Sequence, residues 1–262
     1  MKPLPGSFCW FELATTDQAA AKNFYSSLFG WTFTDTPGGP DGGDYTMFAN
    51  DGRTAAAAYK LRDEMRAHGV PPNWMVYIAV EDVDRAVKHA ADLGGTVTVK
   101  PLDVTDAGRM AVLQDTTGAT FSIWQARQHG GVDTKGEVHS VSWADLQTRD
   151  QAAAARFYSD LFGWKMVEGE SMQPASPGDY YHIVNGRDFI GGVPPPRDGE
   201  NQAPPHWLIY VEVADCRASA QKAVSLGARV YVQPMEIGKE GVISVLADPQ
   251  GAVFALHQSS RR

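Results

Sequence analysis

The chain has 262 residues, 43% hydrophobic and 21% charged, with a net charge of −8, which suits one large or two ordinary globular domains. The acidic balance argues against nucleic acid as the main partner, since phosphate binding needs basic patches. No apolar run reaches the roughly 18 residues of a membrane span, the start MKPLPGSFCWFEL has no signal-type apolar core, and Cys9 and Cys216 are too few for a disulfide framework, so a cytoplasmic protein is expected.

Elements follow in chain order. Phe8–Leu13 alternates as a half-buried strand, with Trp10 and Glu12 on one face and Phe11 and Leu13 on the other. Asp17 caps a helix in which Phe24 pairs with Leu28 and Tyr25 with Phe29, and Gly30 supplies its left-handed stop. Short strands fill the stretch from Trp31 to about Tyr59. Met75–Val80 is again a strand. Asp82 or Asp84 then opens a helix whose apolar face is Val83, Ala86, Val87, Ala90 and Leu93, and Gly94 closes it. Strands near Val97–Val99, Met110–Leu113 and Thr120–Trp124 complete the pattern.

The whole pattern then recurs. WFELATTDQAAAKNFYSSLFGW (Trp10–Trp31) returns as WADLQTRDQAAAARFYSDLFGW (Trp143–Trp164), with 15 of 22 positions identical. Asn73–Val97 returns as His206–Val230 and Asp115–Trp124 as Asp248–His257, all at an offset of 133 residues. A constant offset over this length means two copies of one domain. The expected boundaries are 6–127 and 138–259, with the polar stretch QHGGVDTKGE (Gln128–Glu137) as linker. Within each copy the order strand–helix–three strands occurs twice. The fold class is α+β: a tandem duplication of paired βαβββ modules.

The motifs FYSSLFGW (Phe24–Trp31), FYSDLFGW (Phe157–Trp164), VEDVD (Val80–Asp84) and DPQG (Asp248–Gly251), at these spacings and twice over, resemble the vicinal oxygen chelate superfamily. That group includes glyoxalase I, extradiol dioxygenases, fosfomycin resistance proteins and bleomycin-binding proteins. The chain is more narrowly similar to two-domain actinobacterial proteins of hydroxylase or glyoxalase type. The resemblance covers about Phe8–Ala126 and Val138–Gln258. It implies that each half curls into an eight-stranded cup-shaped sheet with helices outside, and that chemistry happens inside the cup.

The resemblance also implies where metal ligands would sit: Trp10, Met75 and Ser122 in the first copy, Trp143, Leu208 and Ala255 in the second, with a fourth position near Ala57 and near Gly192. None is a normal ligand, because an indole N–H only donates, a thioether is soft, and Leu and Ala offer nothing. No metal and no cofactor is therefore expected.

Strand parity places Trp10, Glu12, Met75, Tyr77, Ser122 and Trp124 in the first cup and Trp143, Asp145, Leu208, Tyr210, Ala255 and His257 in the second. Phe11, Leu13, Val76, Ile78, Val80, Phe121 and Ile123 should pack under the helices. A concave, mainly apolar pocket with a few polar groups suits a small molecule. The tryptophans read equally as plugs and as stacking platforms. Glu12 and Asp145, each two residues beyond a tryptophan, read as general bases or cation partners, or as carboxylates bonded to a neighbouring Tyr or Arg. Tyr77 and Tyr210 could donate to a ligand oxygen or bond across to those acids. The first-half histidines, His68, His89 and His129, have no assigned role. In the second half, His139, His206 and His257 share the parity of the ligand face, and His257 is the best candidate for acid/base work. Thr36–Asp44, Ser171–Asp179, Arg62–Pro72 and Pro194–Pro205 read as exposed connections that could gate the cups.

The functional expectation is a small-molecule-binding protein of the glyoxalase/bleomycin-resistance type, sequestering an aromatic or cationic metabolite or drug. The alternative is a lyase, isomerase or hydroxylase/oxygenase-like enzyme moving protons through Glu12, Tyr77, Asp145, Tyr210 and His257. A third reading is a scaffold with vestigial pockets. The expected partner is a small-molecule ligand, not nucleic acid or membrane, with the chain a monomer or homodimer.

Overall fold

The structure is a computed structural model that describes residues 2–40, 42–170, 179–196 and 203–260. Residues 1–126 supply β1 (Phe8–Thr15), α1 (Gln18–Phe29), β2 (Thr32–Pro37), β3 (Asp44–Asn50), β4 (Arg53–Lys60), α2 (Asp63–Ala67), β5 (Asn73–Ala79), α3 (Val83–Asp92), β6 (Thr96–Val104), β7 (Gly108–Gln114) and β8 (Thr120–Ala126). The second half repeats them as β9 (Val141–Gln147), α4 (Gln151–Phe162), β10 (Lys165–Glu170), β11 (Asp179–Asn185), β12 (Asp188–Val193), β13 (His206–Glu212), α5 (Cys216–Ser225), β14 (Arg229–Glu236), β15 (Gly241–Ala247) and β16 (Val253–Ser259). Among the described residues no helix is long and apolar enough to cross a membrane.

Two eight-stranded sheets result, in the orders β2-β3-β4-β1-β5-β8-β7-β6 and β10-β11-β12-β9-β13-β16-β15-β14. The first strand of each module runs parallel to the last: β1 to β4, β5 to β8, β9 to β12 and β13 to β16. The α+β duplication expected from the repeat is therefore present. The short helix α2 is an addition, lying within the connection Arg62–Pro72 that the sequence reads as loop. Most of the expected connection Ser171–Asp179, and residues 197–202 of Pro194–Pro205, lie outside the described residues.

The helices start and stop where side-chain chemistry requires. Asp17 accepts from the Ala20 amide, and its counterpart Asp150 from Ala153. Gly30 (φ 74°) and Gly163 (φ 72°) take the left-handed conformation that ends both helices. Of the two candidates for α3, Asp82 is the cap, accepting from the Arg85 amide. Asp84 instead holds the Arg109 guanidinium through two 2.9 Å bonds.

Backbone contact density divides the chain into two compact units: residues 1–10, 76–131 and 143–207 in one, and 11–75, 132–142 and 208–262 in the other. Each unit thus combines a module from each half of the sequence. In the first, α3 packs on α4, and Phe121 meets Phe157, Tyr158 and Phe162. In the second, α1 packs on α5, and Phe24, Tyr25 and Phe29 surround Phe254. Phe11, Leu13, Val76, Ile78, Phe121 and Ile123 are buried as expected, and Val80 is half-buried.

Each unit also holds a buried Trp–Tyr–Asp arrangement that explains two of the repeated motifs. The Tyr25 hydroxyl accepts from the Trp74 indole at 3.0 Å and donates to the Asp248 carboxylate at 3.0 Å. In the other unit Tyr158 accepts from Trp207 at 3.1 Å, and the Asp115 charge adds to burial in raising its phenol pKa. The tyrosine of FYS(S/D)LFGW therefore serves the aspartate of the D-x-x-G turn from the opposite half of the sequence. Asp248 also accepts from the Gln250 and Ala252 amides, and Asp115 from Thr117 and Ala119. These carboxylates are structural.

The stretch between the repeats is held down. The Asp133 amide donates to the Thr54 carbonyl at 2.8 Å, Arg53 makes a two-point pair with Glu137, and Asn50 donates to the Val138 carbonyl. It is a docked strap on the β3–β4 hairpin turn, with bonds that its polar composition did not reveal.

Candidate functional site

Four side-chain groups stand on the strand faces that the alternation singles out, two in each unit. The first surrounds Glu12 on β1. It is 8% exposed, and the Tyr45 hydroxyl donates to its Oε1 at 2.6 Å. Glu12 stands opposite Ala57 of β4, which stands opposite Met47 of β3. The neighbouring Tyr59 has its phenol pKa raised by burial and by the Glu12 charge. The acid is thus enclosed by tyrosines.

The second group contains Trp10, Trp124, Tyr77 and Met110. Trp10 is 4% exposed and meets the His129 ring edge-on at 4.5 Å. The Trp124 indole donates to the His129 carbonyl at 3.0 Å. Gly108 lets this ring lie flat on β7, because a Cβ there would strike the indole. Tyr77 meets Trp124 at 6.5 Å and points its hydroxyl at the Met110 sulfur, 4.0 Å away. Ser122, opposite Tyr77, is fully buried. His129, which the sequence left without a role, fills the space beside Trp10 and makes that tryptophan a closed plug. Met75 is half-buried on β5.

The third group is the counterpart of the first and differs from it. Asp145 on β9 is 2% exposed, and its Oδ1 accepts from both the Tyr180 hydroxyl at 2.6 Å and the Trp143 indole at 2.9 Å. Asp145 stands opposite Gly192 of β12, which stands opposite His182 of β11. A Cβ at Gly192 would collide with the Tyr180 ring and hydroxyl, so the glycine makes room for the phenol to reach the shorter acid. The His182 ring meets Tyr180 edge-on at 4.9 Å, Phe189 at 5.5 Å and Trp143 at 6.2 Å. Trp143, Tyr180 and His182 are half-buried, and Phe189 is 57% exposed. What distinguishes this group is its tryptophan, half-buried where Trp10 is closed, with Phe189 at the surface beside His182.

The fourth group is built on β13 and β16. Glu212 and His257 are register partners, with His257 Nδ1 2.9 Å from Glu212 Oε2. The other oxygen of Glu212 accepts the Ser259 amide at 3.0 Å, and the acid is almost fully buried. His257 Nε2 lies 3.2 Å from the Glu240 carbonyl. Both ring nitrogens therefore face acceptors, an arrangement that suits the imidazolium. Burial alone would lower the histidine pKa, but the hydrogen bond and charge of Glu212 outweigh it and the net shift is upward. Tyr210 and Ala255 are register partners two residues earlier on the same strands, and Leu208 is buried.

The remaining histidines of the same parity do not join this pair. His139 has a left-handed backbone (φ 65°), and its carbonyl accepts from the Trp31 indole at 2.8 Å. The His206 ring turns to the Pro204 carbonyl at 2.9 Å.

The positions implied for a metal do not fit one. Trp10 is a closed plug, the Trp143 indole is committed to Asp145, Met75 is a soft thioether, Ser122 offers a hydroxyl, and Leu208 and Ala255 are apolar. The fourth position in the second half is Gly192, and the space beside its backbone is filled by Tyr180. Among the described residues no three His, Cys, Asp or Glu side chains converge as a ligand set.

Sequence reasoning missed Tyr45, Tyr180, His182 and Glu212, and it named Gly192 only as a position implied for a metal, not as the space for Tyr180. The two tyrosines follow an aspartate in both halves, DYTMF and DYYHI. Their offset is two residues longer than the constant one, because the preceding loops differ in length, and that hid the correspondence.

Known proteins bear on this arrangement. The profile of the Glyoxalase/Bleomycin resistance protein/Dioxygenase superfamily matches residues 7–123, and that of a glyoxalase-like domain matches residues 143–257. A Mycobacterium tuberculosis protein provisionally named glyoxylase CFP32 is 39% identical over 248 residues, covering 94% of this chain and 92% of that protein. The anthracycline biosynthesis protein DauV of Streptomyces sp. strain C5 is 34% identical over 266 residues, covering 96% and 93%. Among solved structures, the Mn(II)-bound glyoxalase of Novosphingobium aromaticivorans superposes with a TM-score of 0.65 at 13% identity, over 97% of this chain and 82% of that one. That likeness concerns the fold alone.

Proposed function

Starting from the fact that the chain belongs to the glyoxalase/bleomycin resistance/dioxygenase superfamily, we propose that it binds an aromatic small molecule through Trp143, Tyr180 and His182 in the second half. The observation that carries this reading is the difference between the two tryptophans at equivalent positions. Trp10 is shut beneath His129, whereas Trp143 is half-buried among other half-buried rings. Its indole N–H is fixed by Asp145, so the ring is already oriented and loses little freedom when a ligand stacks on it. A relative named for anthracycline biosynthesis makes a polycyclic aromatic of that class the first ligand to try.

The test is calorimetric titration of the protein with an anthracycline. Trp143→Ala is expected to weaken binding by about tenfold or more, in line with the few kcal/mol that a buried aromatic contact contributes. Trp10→Ala should lower stability and leave the affinity within about twofold. Equal loss of affinity in both variants, or none in either, sinks the reading.

A second reading is favoured by a separate observation. The His257–Glu212 pair orients an imidazole and raises its basicity, as general acid catalysis requires. It predicts that an activated carbonyl or enolisable substrate is turned over, and that His257→Gln abolishes turnover without changing affinity.

A further inference from the structure

We infer that the ligand of the Trp143 group carries a cationic ammonium, and that the buried Asp145 carboxylate reads that charge through the rings covering it. This deepens the binding function proposed above and rests on it. Four rings, Trp143, Tyr180, His182 and Phe189, form a chain of contacts of 4.9 to 6.2 Å, and the first two of them bond one acid directly. Two of the four, Tyr180 and Trp143, donate hydrogen bonds to the same carboxylate oxygen, the indole N–H being shared with the Tyr180 hydroxyl. A phenol or indole that donates to a carboxylate gains electron density on its ring face, which strengthens its attraction for a cation. Asp145 itself is 2% exposed, so a ligand meets aromatic faces and not the carboxylate. The acid acts as a fixed charge behind a ring wall, where the low local dielectric preserves its field.

Several features of the chain agree. The net charge of −8 favours approach of a cation. Gly192 is the position that allows the arrangement, because any Cβ there would push Tyr180 off Asp145. The first half keeps the tyrosine on its acid but not the rest: a methionine stands where His182 does, Ala57 where Gly192 does, and its tryptophan is closed.

The test compares a naphthylmethyl-trimethylammonium ion with its uncharged carbon isostere, naphthyl-neopentane, by calorimetric titration of the intact chain. The cation is expected to bind about tenfold more tightly, the size of a partly desolvated cation–π contact. Asp145→Asn keeps the acceptor and the packing while removing the charge, and it should bring the two affinities within about twofold. Tyr180→Phe keeps the ring and removes the donor, and it should reduce the preference while leaving the isostere unaffected. Equal binding of both probes to the unmodified chain, with Trp143→Ala weakening both, overturns the inference and leaves the aromatic site standing. A preference that survives Asp145→Asn also overturns it. Failure of Trp143→Ala to weaken either probe overturns the binding reading itself.

Discussion

The rows Met47–Ala57–Glu12 and His182–Gly192–Asp145 occupy the same place in the two sheets, three strands in from the same kind of edge. Both end on an acid that receives a tyrosine hydroxyl at 2.6 Å. In the second row the acid is one methylene shorter, and the residue facing it has lost its Cβ. The two changes go together, since the phenol occupies the space that a Cβ at Gly192 would take and still reaches the shorter acid at the same 2.6 Å. The bond is kept while its surroundings change. A duplicated scaffold can thus hold one contact constant and turn the neighbouring position from methionine to histidine, and a closed tryptophan into a half-open one.

The comparison breaks first if the scaffold is not symmetric. Trp31 and Trp164 are both fully buried, both stack on the tyrosine of their own helix, and both donate to a backbone carbonyl at 2.8 Å. Each Trp→Ala change should cost about 3–5 kcal/mol in chemical denaturation, and the two values should agree within about 1 kcal/mol. The next test concerns the tryptophans that differ. Trp10→Ala removes a plug packed on His129 and should cost about 3–4 kcal/mol, whereas Trp143→Ala, at a half-buried ring, should cost about 2 kcal/mol, part of it from the donor lost to Asp145. A reversed order would mean that the second half is the closed one.

The glycine sharpens the comparison further. Gly192→Ala should cost about 1–3 kcal/mol, through displaced packing and one donor lost to a buried carboxylate. Ala57→Gly in the first half should cost only about 0.5–1 kcal/mol from backbone entropy. If acid length and facing residue are coupled, the double change Asp145→Glu with Gly192→Ala recreates the Ala57–Glu12 part of the first-half row and is less destabilising than the sum of its parts. A double-mutant cycle measures that difference directly, and strict additivity would remove the coupling argument.

How much of this is legible in the sequence follows from what each signal depends on. Caps, helix stops and strand parity are local, so Asp17, Gly30 and the faces of Trp10 and Glu12 could be read directly. The duplication came from a fixed offset. The partners of the acids could not be read, because Tyr45 and Tyr180 come from strands whose register depends on loops of unequal length. The role of Gly192 depends on a ring arriving from two residues before its register partner, which no periodicity reveals. The division into units was also hidden, since Tyr25–Asp248 and Tyr158–Asp115 each join a motif of one half to a motif of the other, although each half carries both motifs complete.

The smallest expected effect belongs to the fourth group, where the halves diverge most in charge. The second half has Glu212 and His257 where the first has Ala79 and Trp124. The groups facing the imidazole are the Glu212 carboxylate from β13 and the carbonyl and charge of Glu240 from the short turn before β15. All of them favour the protonated ring, and the folded-state pKa lies above the ordinary value of 6.5. A raised pKa means that the folded chain holds this proton more tightly than the unfolded one. The resulting stabilisation is complete below the unfolded value and is lost as the pH rises through the folded one. Thermal unfolding followed from about pH 5 to about pH 9 should therefore show His257→Gln less stable than the parent on the acid side, with the gap closing on the alkaline side. Glu212→Gln should remove the same slope, because it removes the charge that holds the proton. A parent and a His257→Gln variant with parallel pH profiles would show that Glu212 is satisfied without the imidazolium, and the pair would lose its claim to acid–base work.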